Sequence, residues 1–137
     1  MPLPTVHEAL IYLMVVASAS DRDMSDAELA RIGEVVRAWP VFEDFDSRRL
    51  VGVAQDCQIM LHEGNGLDDV LDLAKRVIPA RLHDTAYAAV FEVVVSDLEM
   101  RMEEVRVLQR LREALELDPL AVAAIELANK ARHRTLT

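Results

Sequence analysis

Aromatic side chains are scarce in this chain, cysteine occurs once, and no apolar stretch is long enough to span a bilayer. Three Phe, two Tyr and one Trp in 137 residues leave Ala, Val, Leu, Ile and Met to build the core, a palette that favours helix-on-helix packing. A lone Cys57 excludes an internal disulfide, which is consistent with a reducing cytoplasm. It falls on an apolar stripe and reads as a buried structural thiol rather than a nucleophile. The longest apolar run, ALIYLMVVA from Ala9 to Ala17, is about half of the roughly 20 residues a membrane span needs, and is expected to form a core helix. MPLPTVHEAL has no basic n-region or small-residue cleavage site, so a cytoplasmic protein without membrane insertion is expected.

Positive charge is also in short supply. Fifteen basic against 24 acidic residues give a net charge of −9, a field that repels phosphate backbones and anionic lipid and attracts cations and basic protein surfaces. Nucleic acid is therefore excluded as a partner and a protein partner is expected; a homo-oligomer is compatible with the composition. The one dense basic cluster, Lys130, Arg132, His133 and Arg134, reads as compensation of a helix C-terminal dipole. No nucleophile elbow, P-loop, dinucleotide fingerprint or Cys/His zinc spacing is present. Paired carboxylates acting on a sugar would need aromatic or polar groups to hold it, and the few aromatics fall on apolar stripes. An enzyme is not expected.

What the chain does have is helical periodicity. Hydrophobic residues make up 52% and charged residues 28%, which suits one packed domain over residues 1–137. Seven helical segments can be read. The first, about Pro4 to Ala19, is apolar on nearly every side, as a central helix should be, and Pro4 suits a first turn. The second opens at Ser25 with Glu28 three residues on, a capping-box pattern; Leu29, Ile32, Val36 and Trp39 follow at helical spacing and Pro40 ends it. The third starts near Asp46 and carries Leu50, Val53, Ala54, Cys57 and Leu61, until Gly64 to Gly66 stop it. The fourth places Leu67, Val70, Leu71, Ala74, Val77 and Ile78 on one face, closed by Pro79. The fifth, about Ala80 to Val95, ends in VFEVVV, a strand on propensity alone, but its Ala-rich lead-in argues for helix. The sixth runs from about Met102 to Leu115. The seventh opens on Asp118 and Pro119, an N-cap with an N1 proline. Met14, Met24, Met60, Met100 and Met102 are expected to fill core gaps.

The chain also repeats itself. Offset by 76 residues, His7 falls on His83, Glu8 on Asp84, Asp21 on Asp97, Asp23 on Glu99, Met24 on Met100 and Glu28 on Glu104, and the apolar register continues beyond. Agreement without a gap over about thirty residues marks a duplicated helical hairpin, each copy a buried helix, an acidic turn and an amphipathic helix. The expected fold is all-α, a single-domain bundle of about seven helices built on that duplication.

The acidic corners SDRDMSDAE and SDLEMRMEE admit two readings. As helix starts they cap backbone N–H groups and favour the dipole, which accounts for Ser25 with Glu28. Arg101 stands where Ser25 would repeat, so capping does not account for the second corner. As a hard-cation site, Asp21, Asp23 and Glu28 with Asp97, Glu99 and Glu104 would bring six carboxylates together. One corner alone falls short of the six to eight oxygens Ca²⁺ takes.

At these residues the chain resembles the TerB-like tellurite-resistance family, and is similar to the related N-terminal domain of membrane-anchored DnaJ-like proteins. The likeness lies in an apolar helix followed by Asp and a later Glu opening a second helix, twice in an all-helical chain of this length. The resemblance implies a non-catalytic stress-response module that interacts or senses, with Asp21 and Glu28, and Asp97 and Glu104, taking the family's proposed divalent-cation roles. Asp23 and Glu99 supplement them, and Ca²⁺ or another divalent ion is the only cofactor implied. Arg22 and Leu98 stand where the family commonly has glycine. The other expectation is a metal-independent acidic adaptor that docks a basic protein partner. His7 and His83 read as paired structural histidines near helix starts, and His62 and His133 as residues at helix ends.

Overall fold

A computed structural model describes residues 3–18, 24–63, 65–95 and 102–137. Among these, seven α-helices follow one another without a strand: α1 Val6–Ser18, α2 Asp26–Ala38, α3 Leu50–Leu61, α4 Leu67–Val77, α5 His83–Val95, α6 Met102–Ala114 and α7 Pro119–Arg132. The all-α expectation is met, and VFEVVV lies inside α5 as helix. Packing on both flanks, rather than β-propensity, decides that segment.

The centre is α1 against α5. α1 touches α2, α3, α4, α5 and α6, and its ten consecutive residues from Ala9 to Ser18 are all buried, which is why no polar face exists on it. α5 touches α1, α2, α6 and α7. The duplication is visible in this arrangement. α2 and α6 start at Asp26 and Met102 and end at Ala38 and Ala114, both pairs 76 residues apart. Each of these outer helices packs on its own central helix and on the central helix of the other hairpin. α3 and α4 then cover α1, whereas α7 alone covers α5.

Helix starts follow local chemistry. Ser25 and Glu28 form the expected capping box, with Ser25 Oγ accepting from the Glu28 N–H at 3.2 Å and the Glu28 carboxylate accepting from the Ser25 N–H at 3.0 Å. α1 begins with the same device two residues later than Pro4: Thr5 and Glu8 exchange bonds of 2.8 and 3.1 Å. Pro4 therefore precedes the cap instead of filling the first turn. The Thr5 N–H, and behind it the Arg49 guanidinium, hold the Glu8 carboxyl below its ordinary value. That contribution to stability is present above the unfolded-state pKa and is lost as pH falls through the lower folded value. Asp46 caps a short 3₁₀ turn, Ser47–Arg49, and α3 starts only at Leu50. Asp118 caps α7 through the Leu120 N–H at 3.0 Å, with Pro119 at the first position.

Cys57 is fully buried, its thiol donating to the Tyr12 carbonyl at 3.6 Å. Burial pushes its pKa up to about 12, so it is no nucleophile. Met14 is buried, and Met24 and Met60 pack on the core, as expected of gap-filling methionines. Met102 is not: it is 75% exposed. It opens α6 at the position that Asp26 holds in α2, on the solvent side of the first turn. Gly66 joins α3 to α4 with φ +49°, and a Cβ there would sit 2.8 Å from the Leu61 carbonyl oxygen. Gly66→Ala is expected to cost about 1–2 kcal/mol, because strain and clash act together at this turn; urea denaturation with an unchanged m-value checks it.

Candidate functional site

The six carboxylates expected to form the cation site divide into two groups. Asp21, Asp23, Asp97 and Glu99 lie outside the described residues. Glu28 and Glu104 lie within them, each in the first turn of an outer helix. They sit differently. Glu28 is half-buried and its carboxylate closes the Ser25 capping box. Glu104 is only 5% exposed and is engaged within the fold. Among the described residues no three His, Cys, Asp or Glu side chains gather into a metal site.

The ends of the central helices add to the local electrostatics. α1 and α5 carry no basic residue in their last turns. The four helices α2, α4, α6 and α7 all do: Arg37, Lys75 and Arg76, Arg112, and Lys130 and Arg132. A helix C-terminus carries roughly half a negative charge and up to four unpaired carbonyls. α3 has none either, so the two ends that run into the acidic corners share with it the lack of a basic residue in the last turn.

The repeat-related histidines do structural work. Nε2 of His7 donates to the Val41 carbonyl at 2.8 Å, and the ring stacks on Phe42 with centroids 5.7 Å apart. His83 Nε2 is 2.9 Å from the Ile78 carbonyl, and its Nδ1 is 3.3 Å from that of Leu115. A neutral ring has one N–H for these two acceptors, and the Ile78 contact is the shorter. Val41 lies just past the end of α2, so His7 ties the start of its central helix to the end of its own outer helix, whereas the shorter His83 contact goes to Ile78 at the end of α4, with the Leu115 carbonyl past the end of α6 facing its other ring nitrogen.

A polar network that sequence reading missed connects α5, α6 and α7. Tyr87, fully buried, donates its hydroxyl to Glu126 at 2.6 Å and accepts from Arg112 at 3.0 Å. Burial first, then the bond to Glu126, pushes this phenol up to about 12, which keeps it a donor at physiological pH. One turn on, Glu92 accepts from Asn129, which is 1% exposed, and faces His133 at 3.1 Å and Arg132 at 3.6 Å. The available signal was Glu92 itself, a single carboxylate inside an otherwise apolar helix, where the repeat places Val16 in α1. The C-terminal basic cluster therefore does more than compensate a dipole, since Arg132 and His133 hold α7 to α5.

A family model described as Tellurite resistance protein TerB matches residues 7–127, from the first turn of α1 to well inside α7. The chain belongs to the TerB family. No curated protein and no solved structure matches it. The match takes in both hairpins and both acidic corners, so the TerB pattern and the duplicated hairpin coincide. TerB membership points to a tellurite-resistance-like function in a domain that is generally non-catalytic. Among the described residues no helix is long and apolar enough to cross a membrane.

Proposed function

We propose that this TerB-family protein is a non-catalytic interaction or sensing module of a cytoplasmic stress response. In this reading a divalent cation, Ca²⁺ foremost, is held between the corners Asp21, Asp23, Glu28 and Asp97, Glu99, Glu104, and orders a surface for a protein partner. The observation that carries the proposal is electrostatic. In both halves of the duplication a central helix without terminal basic residues runs into a carboxylate-rich corner. Two helix C-termini without a basic residue in their last turns and six carboxylates bring together hard oxygen ligands and negative charge, which a divalent cation would offset.

Titration calorimetry of the chelator-stripped protein with Ca²⁺, Mg²⁺ and Zn²⁺ tests it. The expected result is saturable heat with Ca²⁺ and a rise in melting temperature, about 2.7 kcal/mol of stabilisation at one hundred times Kd. Asp21→Asn with Asp97→Asn should remove both. Absence of heat and of any melting shift at millimolar ion would end the cation proposal. The capping role of Glu28 favours a second reading, a metal-independent acidic adaptor for a basic protein. There the same double substitution would weaken partner binding in a salt-dependent manner and cations would have no effect.

A further inference from the structure

α3 carries two stripes. Leu50, Val53, Ala54 and Cys57 face the core. On the other side of α3 lie Asp56, Ile59 and Met60, and Glu63 follows just past the helix end, so that an apolar pair has a carboxylate three or four residues away in each direction along the chain. This second stripe borders a groove of about 410 Å³ between α3, Leu73 of α4 and Tyr12 of α1.

Three features of the groove are not accounted for by folding. Ile59 is 57% exposed, and Leu3 across the opening is 60% exposed. Asp56 and Glu63 make no ion pair among the described residues, while Glu8, the third carboxylate at the rim, is committed to Thr5 and Arg49. Tyr12 is 8% exposed, makes no side-chain hydrogen bond among the described residues and lines the groove, where its hydroxyl is within reach of solvent. Burial, reinforced by Asp56, keeps it neutral with a pKa pushed up to about 12, so it offers a proton to an incoming acceptor.

We propose that this groove is a docking site for an amphipathic helix of a partner protein, bearing bulky aliphatic side chains with Lys or Arg one turn to either side. The aliphatic side chains would cover Ile59 and Met60, the cations would pair with Asp56 and Glu63, and the Tyr12 hydroxyl would donate to a polar acceptor on the helix. The charge pattern chooses the occupant: an apolar strip with unpaired carboxylates at both ends complements a basic–apolar–basic helix face. A second copy of this chain is disfavoured by its net charge of −9. The site deepens the interaction-module proposal but does not depend on a cation. It lies by the start of α1, whereas the acidic corner follows the end of that helix.

The probe is a blocked Ala-based helical peptide with two central Leu and Lys one turn away on each side, followed by calorimetry and amide chemical shifts of the full chain. Saturable binding is expected, with shifts concentrated in the first half of α1, in α3 and in α4. Ile59→Glu should weaken it about tenfold, since a charge replaces the apolar centre of the contact. Asp56→Lys with Glu63→Lys should weaken it about tenfold and create preference for the peptide carrying Glu in place of Lys. Tyr12→Phe should weaken it about threefold without a comparable loss of melting temperature. Glu43→Lys with Asp44→Lys makes the same change in net charge elsewhere and should alter affinity less than about twofold. Asp56, Ile59 and Glu63 are exposed, so these variants are expected to fold.

Shifts confined to the acidic corners, or equal weakening by the control pair, would overturn the groove while leaving an acidic adaptor standing. Self-association abolished by Ile59→Glu would assign the groove to a second copy and overturn the partner. Failure of the Ca²⁺ titration with the peptide result intact would remove the cation alone.

Discussion

Glu92→Val is expected to cost about 2–3 kcal/mol and to loosen α7 before the rest of the bundle, because it leaves Asn129 with a buried unpaired donor and removes the counter-charge of Arg132 and the carboxylate that His133 faces. Valine is the residue that the repeat places at the equivalent position in α1, so the substitution makes the halves more alike while removing what the second half needs. The cost stays below that of breaking a fully buried ion pair because the Glu92 side chain is 24% exposed. In a chain of this size it corresponds to a fall in melting temperature of roughly 7–10 °C. Glu92→Gln keeps an acceptor for Asn129 and should cost about 1 kcal/mol. Glu92→Val with Asn129→Leu removes both partners and should recover most of the loss, a non-additivity that a double-mutant cycle measures directly. Hydrogen exchange should show α7 amides losing protection first in the single variant. A Glu92→Val protein within about 0.5 kcal/mol of the parent, with α7 still protected, would mean that the network does not anchor α7.

The asymmetry behind that prediction marks where sequence reading succeeded and where it ran out. Features set by neighbours along the chain were legible: the Ser25–Glu28 box, the Asp118–Pro119 start, the Pro79 stop, and the 76-residue offset that places α2 and α6 in the same register. Thr5 and Glu8 have the same spacing as Ser25 and Glu28 and make the same cap, one residue after Pro4. Features set by packing between distant segments were not legible. Nothing in the spacing shows that Asn129 meets Glu92, 37 residues away, or that α3 and α4 both cover α1 while α7 alone covers α5. The same cause separates Glu28 from Glu104. Both are first-turn carboxylates in the sequence, yet one closes a cap near solvent and the other is buried. Of the six proposed ligands only these two fall among the described residues; the repeat relates all six, and α1 and α5, which precede the corners, carry no basic residue in their last turns.

Met14→Ala is expected to have the largest single effect, about 3 kcal/mol and a fall in melting temperature of roughly 10 °C. Met14 is fully buried in the middle of α1, the helix that touches five others. Truncation there leaves a cavity that cannot collapse from one side, because neighbours surround the helix. Urea denaturation should show a lower midpoint with an unchanged m-value, as expected of a cavity in an otherwise native core. The variant also separates architecture from ion binding. The two corners follow the ends of α1 and α5, so an ion held between them binds only when the hairpins are assembled. Such an ion stabilises the native state by an amount set by its concentration and affinity. Excess Ca²⁺ should therefore raise the stability of Met14→Ala by as much as it raises that of the parent, in parallel across the titration. A parallel rise would place the ion on the assembled native state without involving the core. A smaller rise in the variant would mean that the cavity has disturbed the relation between the two corners, coupling the core to the site through the central helix pair.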